Sequence, residues 1–171
     1  GWVAGRLLLT KGWSPYGEQV SAEIQHMFYG GEASAGGEIL FVYPLHLMVV
    51  IAPFAAVRDY ELARALWMTF LEVALVSIAL LSVSLVRWRM SRGLLIAVLV
   101  FASLWYHGVR ALVNGNVVAV CALFVVLCFL MIRSGHDLWA GLFLGLAAMK
   151  PNVMLLVSVF IVLWALSRRR W

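Results

Sequence analysis

The chain has 171 residues, of which 64% are hydrophobic and 12% charged. Soluble domains carry about 25% charged residues, so the composition excludes a water-soluble globular fold and indicates a membrane protein. The net charge of +5 resides mostly in short arginine clusters beside apolar runs, which is a topology signal and not a nucleic-acid footprint.

Residues 1–40 are the one long polar stretch. The segment from Arg6 to Tyr16 reads as the end of a short helix stopped by Gly12 and Pro15. A second short amphipathic helix is predicted over 17–29. Gly30-Gly31, then Ala33-Ser34-Ala35-Gly36-Gly37, read as a flexible link. Trp2, Trp13, Tyr16, Phe28 and Tyr29 are amphipathic anchors suited to a membrane interface. Residues 1–40 are therefore expected to form a surface loop whose helices lie on the bilayer, and residues 41–171 a transmembrane bundle.

The apolar runs of that bundle cover about 41–57 (with Pro44 and Pro53), 63–86, 94–106, 116–132, 138–149 and 152–166. A helical span needs about 20 apolar residues, and the runs lack the alternation of a barrel strand. The expected fold class is all-α, a polytopic transmembrane helical bundle of about five to six membrane helices. Lys150-Pro151 separates the last two runs, which are either one broken helix or two. Arg87, Arg89 and Arg92 share one short loop, Arg133 sits in another, and Arg168–Arg170 follow the sixth run. If runs three to six each cross once, all these arginines lie on one side, which the positive-inside rule makes cytoplasmic. The loop 107–116 and Lys150 then face outward together.

The residue with the most chemical content is Lys150. A lysine at membrane depth costs roughly 2.5–3.5 kcal/mol on insertion scales, and an anionic partner such as a lipid-linked phosphate offsets that cost. The competing reading is a lysine that snorkels to the interface. Asn114 and Asn116 flank Gly115 at the outer end of run four, where they either bind phosphate or sugar hydroxyls or simply cap the helix. His107 and Arg110 sit in the same outer loop, Arg110 as a second phosphate ligand or as a solvated loop residue. Tyr43 and His46, three apart at the start of run one, line the mouth of a site or are ordinary interfacial groups. Glu72 lies near the middle of run two and binds Arg64 or another polar partner. Gly141 and Gly145 form a small-residue stripe with Ala148 that permits close helix packing. Cys121 and Cys128 read as reduced, buried thiols. Arg6, Lys11 and Tyr16 touch an acceptor or anchor the interface. No metal site and no nucleotide motif is visible, and no cofactor is expected.

In order, the pieces are Ser14-Pro15-Tyr16-Gly17, Phe41-Val42-Tyr43-Pro44, Ala52-Pro53-Phe54-Ala55, Ala63-Arg64-Ala65-Leu66-Trp67, Asn114-Gly115-Asn116 and Ala140-Gly141 through Lys150-Pro151. This series resembles glycosyltransferase family 87 (the DUF2029 group) of the GT-C superfamily. The resemblance implies transfer of a sugar, commonly mannose, from a polyprenyl-phosphate donor to a glycolipid or glycan acceptor. It places the reaction on the extracytoplasmic face, here of a bacterial plasma membrane, and so places residues 1–40 outside. Counting back through runs two and one puts them inside instead, so the first or the third run, both short, is re-entrant. The resemblance also implies a general-base aspartate in the first outer loop. Asp59 and Asp137 do not match its place, which is expected before Gly1, and the chain reads as a piece of a longer protein. The competing functional class is a transporter or flippase subunit for a lipid-linked or anionic substrate, which proline-interrupted runs also suit. Paired halves would favour it, and no internal repeat is present.

Overall fold

The computed structural model describes residues 1–31 and 39–168. Among them every regular element is an α-helix and no strand occurs. The link expected at Ala33–Gly37, together with Arg169 and Arg170, lies outside the described residues. The chain divides into two compact units, Gly1–Trp67 and Met68–Trp171.

In the first unit, α1 (Trp2–Lys11) ends where Gly12 takes the left-handed conformation, φ 67°. That is the helix stop the glycine predicted. The second helix, α2 (Glu18–Tyr29), buries Val20 and Ile24, one turn apart, and leaves its acidic and aromatic residues outward. A third helix, α3 (Leu47–Ala55), buries Leu47, Ile51 and Ala55 at four-residue spacing. It packs against α1 at the smallest residues of that helix. A Cβ built on Gly5 would stand 2.9 Å from the Ala55 Cβ and 3.1 Å from the Ile51 side chain. Trp2 closes the end of this contact, its indole N–H donating to the Val57 carbonyl at 3.2 Å and its ring meeting Tyr60 edge-on.

Run one is shorter as a helix than its apolar composition predicted. Pro44 and the tight turn that follows it hold the helix start back to Leu47, and Pro53 sits near the end. At 1.5 Å per residue α3 reaches only about 14 Å, against roughly 30 Å of hydrocarbon.

The fourth helix, α4 (Tyr60–Leu85), contains the division between the units. Asp59 caps it, its carboxylate accepting the Leu62 N–H at 2.7 Å. Arg64 pairs with Glu61, one turn away at 4.0 Å, and not with Glu72, for which it was one of two expected partners. Eight residues along a helix is about 12 Å of rise, too far for that pair. Glu72 is exposed and forms no hydrogen bond or ion pair among the described residues.

In the second unit, α5 (Arg92–Leu104) is capped by the Ser91 hydroxyl, which accepts the Leu94 N–H. It bends by 46° into α6 (Tyr106–Val113). Gly108 allows the bend, because a Cβ there would lie 2.9 Å from the Ala102 carbonyl. The segment 107–116 was expected to be a loop. Its alternation of Val109, Leu112 and Val113 with polar residues, uninterrupted by proline, instead makes an amphipathic helix. Then α7 (Val118–Ser134) and α8 (Asp137–Ala147) form a hairpin, and α9 (Pro151–Ser167) joins them in a core built on Cys128, Ala140 and Ile161. Runs five and six are thus two helices. Phe124 stacks on Phe143 across the hairpin, centroids 5.9 Å apart. Both cysteines are buried free thiols. Gly141 and Gly145 are exposed, with nothing within 4 Å of a Cβ placed on either, so this stripe packs no described helix.

Among the described residues α4 is the helix long and apolar enough to cross a membrane, and α5 with α6 meets that requirement as a bent pair. The apolar helices α7 and α9, 17 residues each, reach about 25 Å. The guanidinium of Arg133, at the end of α7, donates to the Ser84 and Leu85 carbonyls at the end of α4. A cation there complements the negative end of the α4 dipole. The Arg133 loop and the loop of Arg87, Arg89 and Arg92 therefore lie at one end of this unit. The start of α7 lies at the other.

Candidate active site

At that other end two interruptions of helix meet. The first joins α6 to α7. Asn114 ends α6, Gly115 turns the chain with φ 58°, and the Asn116 N–H donates back to the Ala111 carbonyl at 2.8 Å. The Asn116 side-chain oxygen then accepts the Val118 N–H, the first of α7, at 3.1 Å, one residue before the N-cap Val117.

The second interruption is dictated by Lys150-Pro151. Proline lacks an N–H and fits the first turn of a helix, so α9 begins at Pro151. Its ring also drives the preceding residue out of the helical region, and Lys150 has φ −125° and ψ 79°. The Lys150 carbonyl accepts the Val153 and Met154 N–H groups at 3.0 and 3.2 Å. Its ammonium, on a half-buried side chain, donates to the Asn116 side-chain oxygen at 3.2 Å. Met149 beside it is fully buried. The thiol of Cys121, on the first turn of α7, lies against the main chain of Lys150 and within electrostatic reach of its ammonium.

Electrostatically this end of the unit is positive. Two helix N-termini, those of α7 and α9, bring positive dipole ends together with an ammonium. The C-terminus of α8 offsets part of this field. Among the described residues no carboxylate pairs with Lys150. A charge held this way, with only a neutral amide for a partner, is suited to a ligand that carries negative charge.

The other predicted residues are placed less centrally. His107 and Arg110 lie on α6, not in a loop, and both are exposed. Arg110 reaches Tyr106 one turn back, 3.4 Å from its hydroxyl. His107 packs its ring near Trp105 and Tyr106. Asn114 is exposed. In the first unit, the Tyr16 hydroxyl donates to the Tyr43 carbonyl at 2.7 Å, and Phe41 bridges the two rings. This joins the Ser-Pro-Tyr-Gly and Phe-Val-Tyr-Pro segments, a link that no spacing in the sequence announces. His46 starts α3 and leaves its Nε2 buried without a hydrogen-bond partner. Of the two aspartates, Asp59 is committed to capping α4 and Asp137 sits exposed in the first turn of α8.

A model of glycosyltransferase family 87 matches residues 41–171, most of the chain. The chain belongs to glycosyltransferase family 87. No curated protein and no solved structure matches it significantly. The activity of this family 87 member is thus sugar transfer, in a family of membrane enzymes. The match takes in Lys150, Asn114, Asn116, Tyr43 and His46, and it begins after α1 and α2.

For this glycosyltransferase, Asn116→Ala removes the acceptor of the first N–H of α7 and the hydrogen-bond partner of Lys150 together. Each lost bond costs about 0.5–1.5 kcal/mol, read as a lowered melting temperature in detergent. Transfer is expected to fall about tenfold, while Asn116→Asp, which keeps both acceptor contacts, restores the melting temperature. Equal melting of Asn116→Ala and the unaltered protein would show that neither bond stabilises the fold.

Proposed function

We propose that this glycosyltransferase moves a hexose, mannose by family resemblance, from a polyprenyl-phosphate donor to a glycolipid or glycan acceptor on the extracytoplasmic face of a bacterial plasma membrane. The observation that carries the reading is the Lys150 ammonium, held by Asn116 beside the starts of α7 and α9 with no carboxylate paired to it among the described residues.

The acceptor hydroxyl attacks the anomeric carbon. The bond from that carbon to the phosphate oxygen breaks, and its electron pair stays on the phosphate. Negative charge grows there as the bond opens, and Lys150 stabilises it more strongly in the transition state than in the bound donor. The hydroxyl proton passes to a carboxylate base, the role the family resemblance gives to an outer-loop aspartate. Asn114, Arg110 and His107 serve the donor from the α6 side. Within the first unit, Tyr43 and His46 are proposed as further substrate-contacting groups, the His46 Nε2 being buried without a partner among the described residues.

The proposed topology follows from helix length and charge. The arginine end, with Arg87, Arg89, Arg92 and Arg133, faces the cytoplasm. The proposed spans are α4, the bent α5–α6 pair, α7, the short α8 and α9, and α3 is taken as re-entrant because the family resemblance puts residues 1–40 outside. Residues 1–40 then lie outside as an interfacial domain, with 41–171 as the bundle.

The test is direct. The full-length protein is reconstituted in vesicles and supplied with radiolabelled polyprenyl-phosphate-mannose, or with a labelled nucleotide-mannose. Label is expected in glycolipid from the first donor alone. Transfer from the nucleotide sugar with none from the lipid-linked one would overturn the proposal.

A further inference from the structure

The first unit carries a groove of about 370 Å³ between α1 and α2, whose walls include Trp2, Arg6 and Leu7 on one side and Glu23, His26 and Met27 on the other. That is within the roughly 300–1,000 Å³ range of small-ligand sites. Its polar groups are unspent. Arg6 makes only two long contacts through one terminal nitrogen, to the Ala55 and Val57 carbonyls at 3.5 and 3.4 Å, and rests its guanidinium over the Trp2 ring at 5.5 Å. Its remaining N–H donors are free. Glu23 and His26, on one face of α2, are exposed, and their side chains make no hydrogen bond or ion pair among the described residues. Arg6 and Glu23 carry opposite charges in the same groove and do not pair.

A ligand that satisfies all of these must both donate and accept hydrogen bonds and present an apolar face. A phosphate head only accepts, and Glu23 would repel it. An acyl chain satisfies none of the charges. A polyhydroxylated ring fits, with hydroxyls donating to Glu23, accepting from Arg6 and His26, and its C–H face turned to the indole and the Leu7 and Met27 side chains. The groove lies before residue 41, outside the family match, which suits a feature that selects one acceptor.

We propose that the α1–α2 groove is a subsite for a sugar of the acceptor, with Glu23 and Arg6 as its hydrogen-bonding pair and Trp2 as its wall. This rests on the glycosyltransferase reading above.

Glu23→Gln and His26→Ala alter exposed, unpaired side chains, so the fold is kept. In reconstituted vesicles Glu23→Gln is expected to raise the acceptor KM about tenfold, the loss typical of one charge-assisted hydrogen bond, with the donor KM unchanged. A second measurement needs no transfer. Saturation-transfer difference NMR with a mannose disaccharide should give signals with the unaltered protein, weakened by His26→Ala and lost in Glu23→Gln. An unchanged acceptor KM in active protein, or disaccharide signals absent from the unaltered protein or surviving in Glu23→Gln, overturns the subsite. So does a saturation-transfer signal from glycerol 3-phosphate that grows in Glu23→Gln in place of any sugar effect, which would make the groove a headgroup site. If no donor supports transfer at all, the donor reading fails and the NMR measurement alone decides the groove.

Discussion

Replacing Lys150 by alanine is expected to lower transfer by a factor of about 10²–10³, the usual loss when one donor to a developing oxyanion is removed. The fold should survive. The side chain gives up one hydrogen bond, to Asn116 at 3.2 Å, worth about 0.5–1.5 kcal/mol. Against this, a half-buried cation is removed from the positive ends of two helix dipoles, which disfavour it. Expression and melting temperature should therefore hold or rise while activity collapses. Lys150→Met, which keeps the length and loses the charge, should behave like the alanine variant. Transfer of labelled mannose at ordinary rates by either variant would remove the phosphate role from this residue.

The largest structural effect is expected of Gly5→Leu. A Cβ alone would come within 2.9 Å of Ala55 and 3.1 Å of Ile51, and the rest of a leucine side chain has no space between α1 and α3. Overpacking of this kind costs about 1–3 kcal/mol, and here it displaces a helix of ten residues whose inner face is Ala4 and Gly5. A matched control is Gly141→Leu, on a helix face with nothing within 4 Å of the new Cβ. Gly5→Leu should lower the melting temperature and expose α1 to protease, with Gly141→Leu close to the unaltered protein in both. Equal protease resistance of the two variants would show that α1 does not rest on α3.

The helices that the sequence announced most clearly are those with chemical punctuation. Gly12 ends α1, and Lys150-Pro151 splits α8 from α9, because glycine enters the left-handed region without penalty and proline fixes φ and lacks an N–H, whatever surrounds them. The apolar run of α4 was legible because no local signal competes with it. Run one misled through its composition: apolar residues continue through Pro44, but the backbone turns there. The α6 segment misled in the other direction, since its polar residues are one face of a helix and not a loop. In the site, Lys150 and Asn116 stood out as residues, but the bond between them spans 34 positions. No periodicity carries that. It depends on how α7 and α8 pair, which is set by Cys128, Ala140 and their neighbours in the core. The Glu72–Arg64 pairing failed on simple rise per residue, and the acid one turn from Arg64 took its place.

Because proline follows Lys150, the cation's seat is written in covalent geometry. Side chains along the outer faces of α8 and α9 can drift over evolutionary time, or be recoded wholesale by an engineer, without moving the charge. What cannot be separated is the dipeptide: insert one residue between the two, and the ammonium rotates off the turn that presents it.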